Sequence, residues 1–141
     1  MLRRVGVQSA NQEKRTMPDE PAKRPLVRHR DETDPLECPF GHVQRVVTGG
    51  EGGIANVHVV NVTKGLTHVH AGYDEVYYVL SGTGTITLDA KVKPLRPGSV
   101  VVIPAGIPHA LEADVGEELE FVIFGTPPVS IDDERARPRK A

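Results

Sequence analysis

The sequence predicts an all-β domain of sandwich or barrel type, and three observations carry that reading. Short runs rich in Val, Ile, Thr and Tyr recur through the middle of the chain, and these side chains suit a pleated, half-buried surface. Gly and Pro signals separate the runs at close intervals. No stretch between them sustains a 3.6-residue apolar period, and the prolines would interrupt one.

Taken in order, strands are expected at 43–48, 54–62, 75–81, 84–88, 99–103 and 119–125. Turns are expected at the GGEGG run of 49–53, at Ser81-Gly82, at Asp89-Ala90 and at Arg96-Pro97-Gly98. Residues 1–25 read as a solvated basic tail: they are polar, broken by Pro18, Pro21 and Pro25, and too poor in apolar surface to offset ordering entropy. Met17, at the edge of that tail, is a candidate for the translation start. Residues 127–141 carry two prolines and mixed charges and read as a flexible tail as well. The folded domain is therefore expected over 26–126.

Composition bounds the function. A chain of 141 residues suits one domain, and 38% hydrophobic residues suffice for one modest core. A formal net charge of −2 and the absence of Trp argue against nucleic acid as a partner. No apolar run is long enough to span a bilayer, and no apolar run follows Arg3 and Arg4 as in a secretory signal. Cys38 is the single cysteine, so no internal disulfide forms; it reads as an inert thiol, and the expected compartment is cytoplasmic.

The chemistry concentrates in THVHAGYDEVYYVLSG, residues 67–82. On a strand, His68 and His70 would put both imidazoles on one face, close enough to share a metal. In a chain with 6 histidines an HxH pair alone is weak. Glu75 strengthens it, because a carboxylate opening the next strand can complete a site begun by two histidines. His109 follows the rigid turn Pro104-Ala105-Gly106-Ile107-Pro108, which fixes where its side chain points. Three imidazoles and one carboxylate make a sensible site for one divalent ion.

At this point the chain resembles the cupin superfamily. His68, His70, Glu75 and Gly82 match its first motif, and Gly98, Pro104, Gly106 and His109 match its second, with 15 residues between Gly82 and Gly98. The pattern often has Gly where this chain has Val62 and Asn where it has Ala113; neither position is a ligand. The resemblance covers about 40–125 and implies a double-stranded β-helix, the jelly-roll barrel, with small-microbial-cupin spacing. It implies that His68, His70, Glu75 and His109 hold one divalent ion (Fe, Mn, Zn, Ni or Cu) near the open end of the barrel.

Tyr77 shares the face of Glu75 on a strand, so it is a candidate proton donor or substrate-binding hydroxyl, with a wall-lining aromatic as the alternative. Tyr73 and Asp74 fall in the preceding turn and read as surface residues, with a role lining the mouth of the site as the alternative. His58, with Asn56 on its face, reads as structural or as a pocket residue, and His29 and His42 carry no role. The site's formal charge of about +1 favours an anionic or enolisable oxygen ligand. A metal-dependent enzyme on a small molecule leads: dioxygenase-like chemistry first, isomerase, lyase or decarboxylase next, with a non-catalytic binding or sensing protein as the alternative. Lys64, Lys91, Lys93 and Arg96 are too scattered for a phosphate cluster. A homodimer is expected, with Leu26 and Val27 adding to its interface.

Overall fold

The computed structural model describes residues 22–38 and 41–128. The tail readings on 1–21 and 129–141, with Met17 among them, lie outside the described residues. The described chain is a β-sandwich of jelly-roll form with one 3-10 turn, Arg30–Glu32, and no other helix. Its strands are β1 Leu36–Cys38, β2 Gly41–Val47, β3 Asn56–Val62, β4 Asp74–Ser81, β5 Gly84–Leu88, β6 Lys91–Leu95, β7 Val100–Ile103, β8 His109–Ala113 and β9 Leu119–Thr126. They pair antiparallel into a six-stranded sheet, β1-β2-β3-β9-β4-β7, and a three-stranded sheet, β6-β5-β8.

Six of these strands coincide with the expected ones to within two residues. Three were not expected, each for a local reason. β1 is too short to show a period. β6 reads KVKPL, and Pro94 is tolerated because β6 pairs only with β5, at the sheet edge. β8 reads HALEA, a composition with little strand preference; pairing with β5 overrides it.

The core lies between the sheets. Alternate residues of β4 point inward, so Glu75, Tyr77 and Val79 are buried while Val76, Tyr78 and Leu80 face out. Leu119, Phe121, Val62, Val60, Ile86 and Leu111 are among the side chains that pack with them in the core. Each fully buried aliphatic side chain contributes roughly 1.5–3 kcal/mol. Turn chemistry follows the expected residues: Asp89 and Ala90, at φ 46° and 68°, make the two-residue hairpin between β5 and β6. Gly82 has φ +86°, and a Cβ there would collide with the backbone carbonyl of Glu118. The glycine of the first motif therefore serves the packing of β4 against the 118–119 backbone.

On the outer face the N-terminal segment crosses β2, β3 and β9. Arg30 donates from Nε to Gln44 Oε1 (2.8 Å) and pairs with Glu120 (3.3 Å), which also accepts from Asn61 Nδ2 at 3.2 Å. The bond from Arg30 holds the Glu120 carboxyl below its ordinary range; burial opposes this weakly.

Candidate metal centre

The HxH segment is extended, but it is not a regular strand. It runs antiparallel to β8 outside the three-stranded sheet and is held by single bridges, Lys64 to Glu112 and His68 to His109. Gly65 N donates to Leu111 O at 2.8 Å, and His68 and His109 exchange backbone bonds at 3.0 Å. The alternation expected of a strand survives: Val69 is 46% exposed between two half-buried histidines. His109 starts β8, so the bridge brings it beside His68, their rings 4.1 Å apart.

The loop 104–108 is fixed to the opposite sheet. Asp74 Oδ1 accepts from Ala105 N at 2.8 Å, and Gly106 N donates to His70 O at 2.8 Å. Asp74 is exposed, as expected, yet it ties the His109 loop to the strand that carries Glu75. Glu75 comes from β4 in the large sheet. The site thus sits where the two sheets face each other.

The ligand-capable atoms of His68, His70, Glu75 and His109 all lie within 4.8 Å of one another. Glu75 Oε1 is 3.2 Å from His70 Nε2 and 3.3 Å from His109 Nε2. Donors bound at roughly 2.0–2.2 Å to one ion stand about 3 Å apart when adjacent, so this spacing fits a shared cation. The outer ring nitrogens are already engaged. His68 Nδ1 donates to Leu66 O at 3.0 Å and His109 Nδ1 to Ile107 O at 2.8 Å. A carbonyl can only accept, so Nδ1 carries a proton, and in the neutral ring the Nε2 lone pair is left for the site. His70 Nδ1 meets the hydroxyl of Tyr73 at 2.5 Å. Three inward imidazole nitrogens around a carboxylate form a group that could hold a metal ion.

Burial pushes the Glu75 carboxyl up, but bonds and charge from His109 and His70 outweigh it and hold the pKa at about 2. Burial, with the His109 and His70 charges, lowers His68 to about 4, so its imidazole stays neutral over the physiological range.

The sequence model of the cupin domain family matches residues 57–134. The chain belongs to the cupin domain family. Among curated proteins this cupin is 34% identical over 71 residues to an uncharacterised protein of Methanocaldococcus jannaschii, covering 50% of this chain and 57% of that one. It is 34% identical over 55 residues to the oxalate-binding protein of Thermotoga maritima, covering 39% of this chain and 46% of that one. The matches span about half the length of these relatives. A crystal structure of a protein from Planctomyces limnophilus superposes with a TM-score of 0.65 at 26% identity, covering 77% of this chain and 94% of that one.

The cupin barrel brings together all four residues that the motifs single out. Tyr77 joins them, 1% exposed, its hydroxyl donating to Glu75 Oε1 at 3.2 Å and lying 3.1 Å from His109 Nε2. Burial first, then the Glu75 charge, pushes the Tyr77 phenol well above its ordinary pKa, so it keeps its proton.

Tyr73 is a correction. It was expected at the surface, but it is 6% exposed, stacks on His70 with centroids 4.5 Å apart and packs against Gly125. The signal was present in the sequence: Tyr73 precedes Glu75 by two residues and continues the inward face of β4. Asn56 and His58 are buried on the inner face of β3, and Arg45 of β2, which the sequence reading did not single out, pairs with His58 on that face. His42 is exposed on the outer face, and His29 caps the 3-10 turn; neither joins the site.

Proposed function

We propose that this cupin is a metal-dependent enzyme that holds one divalent ion on His68, His70, Glu75 and His109 and acts on a small oxygen-rich or carboxylate-containing molecule. The observation that carries the reading is the commitment of all three Nδ1 atoms to outer partners, which leaves three Nε2 atoms and one carboxylate for an ion. Iron, manganese, zinc, nickel and copper all accept this donor set. A bound ion would supply Lewis acidity toward a substrate oxygen.

The chain's own residues define what surrounds that chemistry. Glu75 supplies the single negative charge, leaving the loaded site formally positive and suited to an anionic oxygen ligand. Tyr77 holds a proton beside Glu75 Oε1, where it donates to the carboxylate or to a ligand oxygen arriving there. Dioxygenase-like chemistry leads this reading, with isomerase, lyase or decarboxylase chemistry next.

A second reading, a binding protein without turnover, is favoured by the similarity to the oxalate-binding protein of Thermotoga maritima. A homodimer and a cytoplasmic setting belong to the proposal. The dimer is supported by Val76, Tyr78, Val100, Val102 and Phe124, which sit exposed on the outer face of the large sheet. Val27 is 98% exposed beside Leu26, as an interface segment would be in the separate chain. No helix among the described residues is long and apolar enough to cross a membrane.

Elemental analysis of protein purified without added metal tests the reading, alongside a His68→Ala, His109→Ala double variant. Near-stoichiometric metal in the wild type and none in the variant is the expected result. Wild type that stays empty after reconstitution overturns it. Oxygen-consumption screens on the loaded protein then separate dioxygenase-like chemistry from the other classes, and failure of every turnover screen with retained ligand binding favours the binding protein.

A further inference from the structure

The inner face of the barrel carries a second polar group beside the four candidate ligands. Arg45 on β2 stands opposite His58 on β3; His58 stands opposite Ile123, and Ile123 opposite Tyr77. One row along, Asn56 stands opposite Gly125, and Gly125 opposite Glu75. Cross-strand partners share a face, so Arg45, His58 and Asn56 line the interior that holds Glu75 and Tyr77. Asn56 is 2% exposed and His58 7%, and Nε and Nη1 of Arg45 are buried.

Alternation sets Arg45 there: it follows buried Val43 by two residues, and the β2–β3 register is regular from His42 to Arg45 before it shifts between Arg45 and Val47. Its inward neighbours on the strands, Val43 and Val60, are aliphatic. A half-buried guanidinium carries a desolvation cost that a valine at the same place would not. Arg45 has interactions of its own in the ligand-free protein, and its planar fork also matches a carboxylate through two parallel bonds.

We infer that Arg45 is the anion-recognition residue of a two-point ligand site: one oxygen group of the ligand binds at His68, His70, Glu75 and His109, and a carboxylate of the same molecule binds Arg45, with His58 and Asn56 as its polar neighbours. The ligand class is a small dicarboxylate whose two acid groups lie apart. The first point rests on the metal reading above; the second does not. Two positive groups on one inner face, the loaded site and the guanidinium, match two carboxylates. Arg45, His58 and Asn56 each have interactions in the ligand-free protein, which an arriving carboxylate shares or replaces. One guanidinium matches the single charge of a carboxylate better than the double charge of a phosphate.

The test is calorimetric titration of the zinc-loaded full chain with acetate, oxalate, malonate, succinate and glutarate. Malonate, succinate or glutarate is expected to bind about 10- to 100-fold more tightly than acetate, the worth of one charge-assisted pair. Arg45→Met should abolish that preference while metal content and acetate affinity stay unchanged. Arg45→Lys, which keeps the charge but loses the fork, should fall between. Oxalate is the internal control, because its adjacent acid groups can both serve one ion and its binding should not respond to Arg45.

Equal affinity of the wild type for acetate and every longer dicarboxylate overturns the inference, as does a preference that survives in Arg45→Met. If thermal melting shows Arg45→Met unfolded, Arg45→Lys decides: an unchanged preference overturns, a reduced one supports. If the chain takes up no zinc, the metal reading fails separately. The same titrations on metal-free protein then read Arg45 alone: dicarboxylate binding lost in the Arg45 variants supports the subsite, and no binding in wild type overturns it.

Discussion

The hydroxyl of Tyr73 lies 2.5 Å from Nδ1 of His70, and the two rings stack at 4.5 Å between centroids. The Nδ1 of His70 meets a side chain, whereas Nδ1 of His68 and of His109 each meet a backbone carbonyl. A side chain can be changed without disturbing the backbone, so this relationship is open to direct experiment. Tyr73→Phe keeps the stack and the packing on Gly125 but removes the oxygen. Metal affinity is expected to fall about 10- to 100-fold, the usual effect of losing a partner behind a ligand. Competition against a chelator of known affinity measures it, and thermal melting of the metal-free variant should match wild type within about 1 kcal/mol.

Glu75→Gln tests the charge at the centre. The amide keeps the shape of the side chain but removes the negative group that three inward-facing imidazoles surround. Metal content after dialysis against a weak chelator should drop from near-stoichiometric to a small fraction. Retention of wild-type content would remove Glu75 from the ligand set.

Asp74→Ala tests how the second motif is placed. Asp74 Oδ1 accepts from Ala105 N, so its loss frees the loop that leads into His109. Stability should fall by about 1 kcal/mol, the net worth of one such bond, and metal affinity should fall less than in Tyr73→Phe. Urea unfolding together with chelator competition separates the two effects.

Gly82→Ala tests the packing reading of the first motif's glycine. A methyl group at φ +86°, against the Glu118 carbonyl, forces the 118–119 backbone to move. A loss of about 3 kcal/mol or more, or failure to fold, is expected. A stable variant that loses metal instead would mean that Gly82 serves the site rather than the fold.

Arg30→Ala tests the outer anchor through pH. The folded-state pKa of Glu120 is lowered, chiefly by Arg30, so the pair stabilises the protein above the unfolded value of 4.5. That contribution is lost as pH falls through the folded pKa. Arg30→Ala should cost about 1 kcal/mol or less at neutral pH, because the pair is partly exposed. The gap between variant and wild type should close on acidification, as followed by urea unfolding across the acid range.

Much of this cupin was legible along the chain because its signals are local. The β-rich runs and the turn residues between them depend on neighbours two to four positions away, and the candidate ligands stand in motifs with fixed spacing. Tyr77 was legible for the same reason, by period-two alternation from Glu75. The same rule applied backwards finds Tyr73, but a glycine and an apparent turn before it hid the inward face.

What tertiary structure alone decided is long-range. KVKPL and HALEA become strands only because β5 lies between them and supplies ladder partners. The HxH segment faces His109 because a single antiparallel bridge aligns residues 41 positions apart. Arg45 faces inward by alternation from Val43, but only the pairing of β2 with β3 sets it beside His58. Local sequence thus determined which side chains could act together, since alternation and turn chemistry are short-range effects. Pairing between distant strands decided which of them meet, because register is set by the whole core rather than by any one segment.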